Sequence, residues 1–193
     1  MSLHARLSQI LCLSVAAAFC TGCVEIGRTD RDAALNSDGD SYYVIGVQPD
    51  TAAISIFRGT IANNVFQQID LLPTSFLGTA DDGYIVSRTR AGETLAITYV
   101  QLRKDKNDRT GRVLVPCAGS KTLVFTAPSG EHVLYLADVS YVPGGYGNLQ
   151  SRFSQNYAKA KTYMASHYPK LADKLEPGQP QFLPAEGQGG CAG

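Results

Sequence analysis

From Tyr42 to Val142 apolar and polar residues alternate in short runs, each closed by a turn signal. In Tyr42 to Gln48 the side chains of Tyr43, Ile45 and Val47 share one face, because successive side chains of an extended chain point to opposite sides. Pro49-Asp50 ends that run, and Ala53 to Arg58 brings Ile54 and Ile56 together before Gly59. Asn63-Asn64 precedes Val65 to Leu71, and Asp81-Asp82-Gly83 precedes Tyr84 to Thr89. Ala91-Gly92 turns the chain into Glu93 to Leu102, where Leu95, Ile97 and Tyr99 alternate with Ala96, Thr98 and Val100. Lys104 to Arg112 is polar throughout and reads as a solvated hairpin loop. Runs at Val113 to Pro116, Thr122 to Thr126 and His132 to Val142 complete the series. Regular short strands without a helical period between them predict an antiparallel β-sandwich and argue against parallel βαβ units.

After Gly147 the period changes. Leu149, Phe153, Tyr157, Ala160, Met164, Tyr168, Leu171 and Leu175 recur at three- or four-residue steps, which predicts a C-terminal helical segment packed on the sandwich. Asn148 or Ser151 can cap its start. Pro169 should break it near His167 and open a second short helix, Pro169 to Leu175. Residues 42–175 therefore form the expected domain, and residues 176–193, rich in Pro, Gly and Gln, an extended tail. Residues 23–41 are charged and lack periodicity, so they read as a flexible tether. Within it, Asn36 to Asp40 looks like the start of a calcium loop, but Ser41 and Val47 stand where an EF-hand needs Gly and Glu, so an acidic turn is the simpler reading.

The first 22 residues belong to export. Arg6 lies in a short basic region and Leu7 to Phe19 is an apolar stretch of about a dozen residues, the length of a signal-peptide core and too short to span a bilayer. The sequence Cys20-Thr21-Gly22-Cys23 resembles the lipobox of bacterial lipoproteins, with Cys20 where Leu is usual. The resemblance implies that Cys23 is acylated and that the lipid ties the protein to a membrane. An ordinary secretory signal cleaved nearby is the alternative. In similar Gram-negative lipoproteins, a residue other than Asp after the cysteine implies sorting to the outer membrane, and here that residue is Val24. The expected place is the cell envelope, on the periplasmic face of the outer membrane. The expected partners are the membrane, through the lipid, and an envelope protein.

Removing residues 1–22 from the 193 leaves 171 residues, enough for one domain with a sizeable core. It also removes one of 17 basic residues and none of 17 acidic ones, so the net charge is about −1. With no basic patch of the nucleic-acid type, no nucleic-acid partner is expected. Of five cysteines, Cys12 and Cys20 go with the signal and Cys23 takes the lipid, leaving Cys117 and Cys191. An even pair in an exported chain reads as a disulfide, with two free thiols as the alternative. The bond would close a loop of about 75 residues and stabilise the fold by roughly 4 kcal/mol. Two lone cysteines supply too few ligands for a metal site, so neither metal nor cofactor is expected.

The stretch from Asp82 to Ile97 (DGYIVSRTRAGETLAI) resembles small prealbumin-like or carboxypeptidase-regulatory-like sandwiches found in bacterial lipoproteins. There, a Gly-Tyr strand, a tight turn and an alternating strand follow one another. The resemblance implies a sandwich and no activity.

No catalytic constellation stands out, and the chain is expected to be a non-enzymatic binding or structural module. The alternative is a hydrolase or enzyme accessory subunit with a site built from scattered residues. His132 and Asp138 lie six residues apart, about 20 Å along an extended strand, too far for a base and its orienting carboxylate. His167 sits at an expected helix end, where the dipole favours its charged form. Neither a Gly-x-Ser-x-Gly elbow nor a phosphate-cradling glycine motif is present. The best binding candidate is the loop holding Tyr141, Gly144, Gly145 and Tyr146, since tyrosine offers a large amphipathic contact and glycine a close backbone approach. The plainer reading is a connector whose glycines permit the turn.

Overall fold

The alternating runs become strands close to where the pattern places them. The computed structural model describes residues 25–35, 39–72, 75–115, 120–143 and 149–186. The elements are β1 (Ser41–Gln48), β2 (Ala53–Ala62), β3 (Val65–Gln68), β4 (Phe76–Thr79), β5 (Tyr84–Thr89), β6 (Thr94–Leu102) and β7 (Arg112–Leu114). They continue with β8 (Lys121–Thr126), β9 (Val133–Pro143), β10 (Leu149–Ser154), α1 (Tyr157–His167), α2 (Pro169–Ala172), β11 (Leu175–Pro177) and β12 (Gln181–Glu186). The protein is mainly β, with two sheets and a C-terminal helical segment.

The smaller sheet runs β10-β9-β1-β5, with β11 also on β9. The larger runs β4-β2-β3-β12-β8-β6-β7, and β6 returns to pair with β2. Strands β2, β3, β12, β8 and β6 therefore close a five-stranded ring, which removes their edges. The pairing is not antiparallel throughout: β1 with β9, β11 with β9, and β12 with β3 are parallel. The expectation of a purely antiparallel sandwich is corrected to mixed sheets, one of which curls into a barrel. Long-range partners decide this, and they leave no trace in local alternation.

Both faces of the small sheet are covered. Tyr43, Ile45 and Val47 of β1 pack toward the barrel with Ile54, Ile56, Leu95, Ile97, Leu134 and Leu136. Tyr42 and Val44 pack the other way, with Val133, Tyr135, Ala160, Met164, Tyr168 and Leu171, under the helical segment. That is why β1 reads as a nearly unbroken apolar run.

The helix starts later than its stripe suggests. Residues 149–154 form β10, antiparallel to β9, and Asn156 caps α1 by accepting the Lys159 amide at 3.2 Å. Leu149 and Phe153 fit both readings, because residues four apart share a face in a strand as well as in a helix. Pro169 opens the short α2 as expected, but the helix ends at Ala172 instead of reaching Leu175, which opens β11. The tail expected to be extended instead supplies β11 and β12, and β12 completes the barrel. β8 takes Gln181 to Pro184 and β3 takes only Ala185 and Glu186. Pro184, with no N–H to give, thus sits where one neighbour alone is paired.

The stretch read as a tether is docked over its described part. The Ile26 and Leu77 amides donate to each other's carbonyls at 3.1 and 3.0 Å, and the Thr29 amide donates to the Val86 carbonyl at 3.1 Å. Residues 25–29 therefore strap an edge strand of one sheet, β4, to an edge strand of the other, β5. Gly27 makes the turn at φ +78°, with its α-carbon so close to the Ser75 carbonyl that a Cβ would lie 1.7 Å from the oxygen.

Candidate functional site

The residues singled out for chemistry are mostly not gathered together. Cys23, Cys117, Cys191, Gly144, Gly145 and Tyr146 lie outside the described residues. Tyr141 is described, and it is 6 % exposed within the core between the sheets, where burial pushes its phenol well up. Tyr141, the described member of that candidate loop, is thus seated in the core. β9 aims it inward with Val139, the strand parity that alternation dictates.

Both described histidines join elements. Nδ1 of His132 lies 2.5 Å from Glu176 of β11, and Nε2 lies 3.2 Å from the Ser129 carbonyl. With one ring nitrogen facing a carboxylate and the other a carbonyl, the imidazolium form satisfies both. The Glu176 hydrogen bond raises the His132 pKa, against a smaller opposing cost of burial. His167 stacks on Tyr163 with ring centroids 4.2 Å apart, and its Nε2 lies 3.0 Å from Asp82. It ties the end of α1 to the β4–β5 connection.

A polar row crosses the helix-facing side of the small sheet. Asp138 of β9 is paired with Gly46 of β1, and Gly46 with Tyr84 of β5. The carboxylate occupies the space above Gly46, where a Cβ would lie 2.0 Å from Asp138 Oδ1. The Tyr135 hydroxyl donates to that oxygen at 3.0 Å and accepts the Asn156 amide at 2.8 Å. Burial raises the Asp138 pKa and pushes the Tyr135 phenol up to about 12. The Tyr84 hydroxyl is buried without a hydrogen-bond partner, and Lys159 Nζ stands 6.0 Å from the centre of its ring. A half-buried carboxyl of raised pKa can move a proton. Here, through Tyr135 and Asn156, it seats the start of α1. Leu136 is left unpaired where the β1–β9 register shifts, so β9 turns Asp138 and Tyr135 to the same face three residues apart. Simple alternation does not foresee that pairing.

A cleft of about 410 Å³ lies between the β8–β9 turn and the β11–β12 connection. Its floor is Phe125, Leu134 and Leu136, and its rim carries His132, Glu176 and Gln181. The sequence offered no signal for it, because half its wall comes from residues 176–181 of the supposed tail. Among the described residues, no group of three His, Cys, Asp or Glu side chains is placed to hold a metal ion, and no helix is long and apolar enough to cross a membrane.

The β6–β7 loop is organised by its own acids. Asp105 Oδ1 accepts the amides of Asn107 and Asp108. Asp108 accepts the Thr110 hydroxyl and the Thr110 and Lys104 amides, which lower its pKa to about 2. Comparison with protein-family models, curated proteins and solved structures finds no match to this chain.

Proposed function

We propose that the chain is an envelope lipoprotein, anchored through Cys23 on the periplasmic face of the outer membrane, whose domain binds or holds a partner rather than catalysing a reaction. One observation carries the non-enzymatic part: among the described residues, each histidine is engaged with a carboxylate and a backbone carbonyl of another turn or element. The Ser166 hydroxyl, 2.8 Å from His167 Nδ1, also faces the Thr162 and Tyr163 carbonyls of its own helix, and the Tyr163 carbonyl faces Nδ1 as well, so that nitrogen is held as a donor in the helix end rather than as a base. The open cleft is floored by apolar side chains and rimmed by paired charges and amides, a composition that suits binding. The lipobox-like sequence supports the anchor. Metabolic labelling with a palmitate analogue should mark the wild type and not Cys23→Ser, and equal labelling of both would remove the anchor. Cross-linking in intact envelopes should then capture a protein partner.

The hydrolase alternative has one observation in its favour, the raised pKa of Asp138. It requires that Asp138→Asn abolish a turnover the wild type performs, beyond any change in stability.

A further inference from the structure

We infer that the β6–β7 hairpin loop is a second, electrostatic membrane contact, which lays the domain on the anionic phospholipid headgroups of the leaflet that carries the anchor. This rests on the reading of Cys23 as the lipidated residue.

Two independent observations meet at one end of the fold. The first is the length of free chain. Glu25 is fixed: its carboxylate takes two hydrogen bonds from Arg28, at 2.6 and 3.1 Å, and Arg28 also donates to the Thr79 carbonyl at 2.7 Å. Cys23 is two residues away, a reach of about 7 Å at full extension. A lipid there holds the domain against the bilayer instead of on a long leash. The second is charge. Residues 103–112 carry Arg103, Lys104, Lys106, Arg109 and Arg112 against Asp105 and Asp108, a net +3 in a mature chain close to neutral. Both acids accept hydrogen bonds from the loop's own backbone. Lys104, Lys106, Arg109 and Arg112 are exposed, and so is Val113, at 56 %.

The structure brings the two together. Lys106 Nζ donates to the Ala80 carbonyl at 3.2 Å, and Ala80 is two residues beyond Gly78, which lies under the Glu25 carboxylate. The path from the anchor residue to the Lys106 ammonium is thus at most about 30 Å. Asp50 pairs with Lys106 and offsets one charge. Around the exit itself Glu25 pairs with Arg28, and Arg31 with Asp81. The loop is where the positive excess remains. A short anchor fixes one point and leaves the tilt open, and a nearby basic loop settles the tilt on an anionic surface.

The test is hydrogen–deuterium exchange on the full lipidated protein in phosphatidylcholine vesicles with and without phosphatidylglycerol. Amides of residues 103–112 should exchange about fivefold slower on the anionic vesicles, the factor that one Lys or Arg near such a surface contributes. High salt should abolish the slowing. Lys104→Gln/Arg112→Gln should abolish it too, with thermal melting unchanged, since neither side chain bonds to another described residue. Equal exchange on both vesicle types, or slowing that survives the double substitution, overturns the inference while labelled Cys23 keeps the anchor. An unlabelled Cys23 overturns both.

Discussion

Replacing Gly27 by alanine tests whether the N-terminal strap is part of the fold. The new Cβ would lie 1.7 Å from the Ser75 carbonyl oxygen and 3.1 Å from the Ser87 hydroxyl, on a backbone held at φ +78°. The positive φ costs an L side chain about 1 kcal/mol. The overlap is with backbone and cannot be relieved by a rotamer change, so the segment must lift. Lifting it breaks the two reciprocal Ile26–Leu77 hydrogen bonds, worth about 1 kcal/mol each. The sum is about 3 kcal/mol, or a fall in Tm of roughly 10 °C for a domain this size. Gly39→Ala is the control: its φ is +75°, but nothing lies within 4 Å of the added carbon, so only the backbone cost of about 1 kcal/mol remains. Thermal melting compares the two, and hydrogen exchange at the Leu77 amide locates the change. Equal destabilisation by both substitutions, or a Leu77 amide exchanging as in the wild type, would refute the strap.

Three further outcomes are expected. Met164→Ala, at a side chain fully buried under α1, should cost about 3 kcal/mol by denaturant titration, whereas Phe153→Ala, half-buried against Phe182, should cost about 2. The His132–Glu176 pair should stabilise the protein most while the histidine is charged, below about pH 6.5. Because the folded pKa of His132 is raised, that contribution fades as pH rises through it. The midpoint difference between wild type and His132→Gln should therefore be largest near about pH 6 and close by about pH 9; at a surface pair it should stay under about 1 kcal/mol. Protein purified without reductant should show no alkylatable thiol at Cys117 or Cys191, and two modified cysteines would disprove the disulfide.

Local chemistry alone determined the strands that alternate. Tyr84 to Thr89 was legible to the residue, and β1, β2, β6, β8 and β9 were legible to within a few residues at each end, since a half-buried strand must place every second side chain in the core. The helical stripe from Tyr157 onward and the break at Pro169 were equally plain. Tertiary structure decided what a window of ten residues cannot contain. β12 is strand-like only because β8 and β3 receive it, some 60 and 120 residues earlier in the chain. Leu149 and Phe153 satisfied a helical and an extended period at once, and pairing with β9 chose between them. The polar stretch from Glu25 had no period to read, yet the open edges of β4 and β5 captured it. The cleft under His132 and the closeness of the basic β6–β7 loop to the docked stretch at Glu25 follow from those same captures. Side-chain pattern specifies which face is buried, whereas backbone hydrogen bonding, alike at every residue except proline, lets the assembled sheets decide which distant segment completes them.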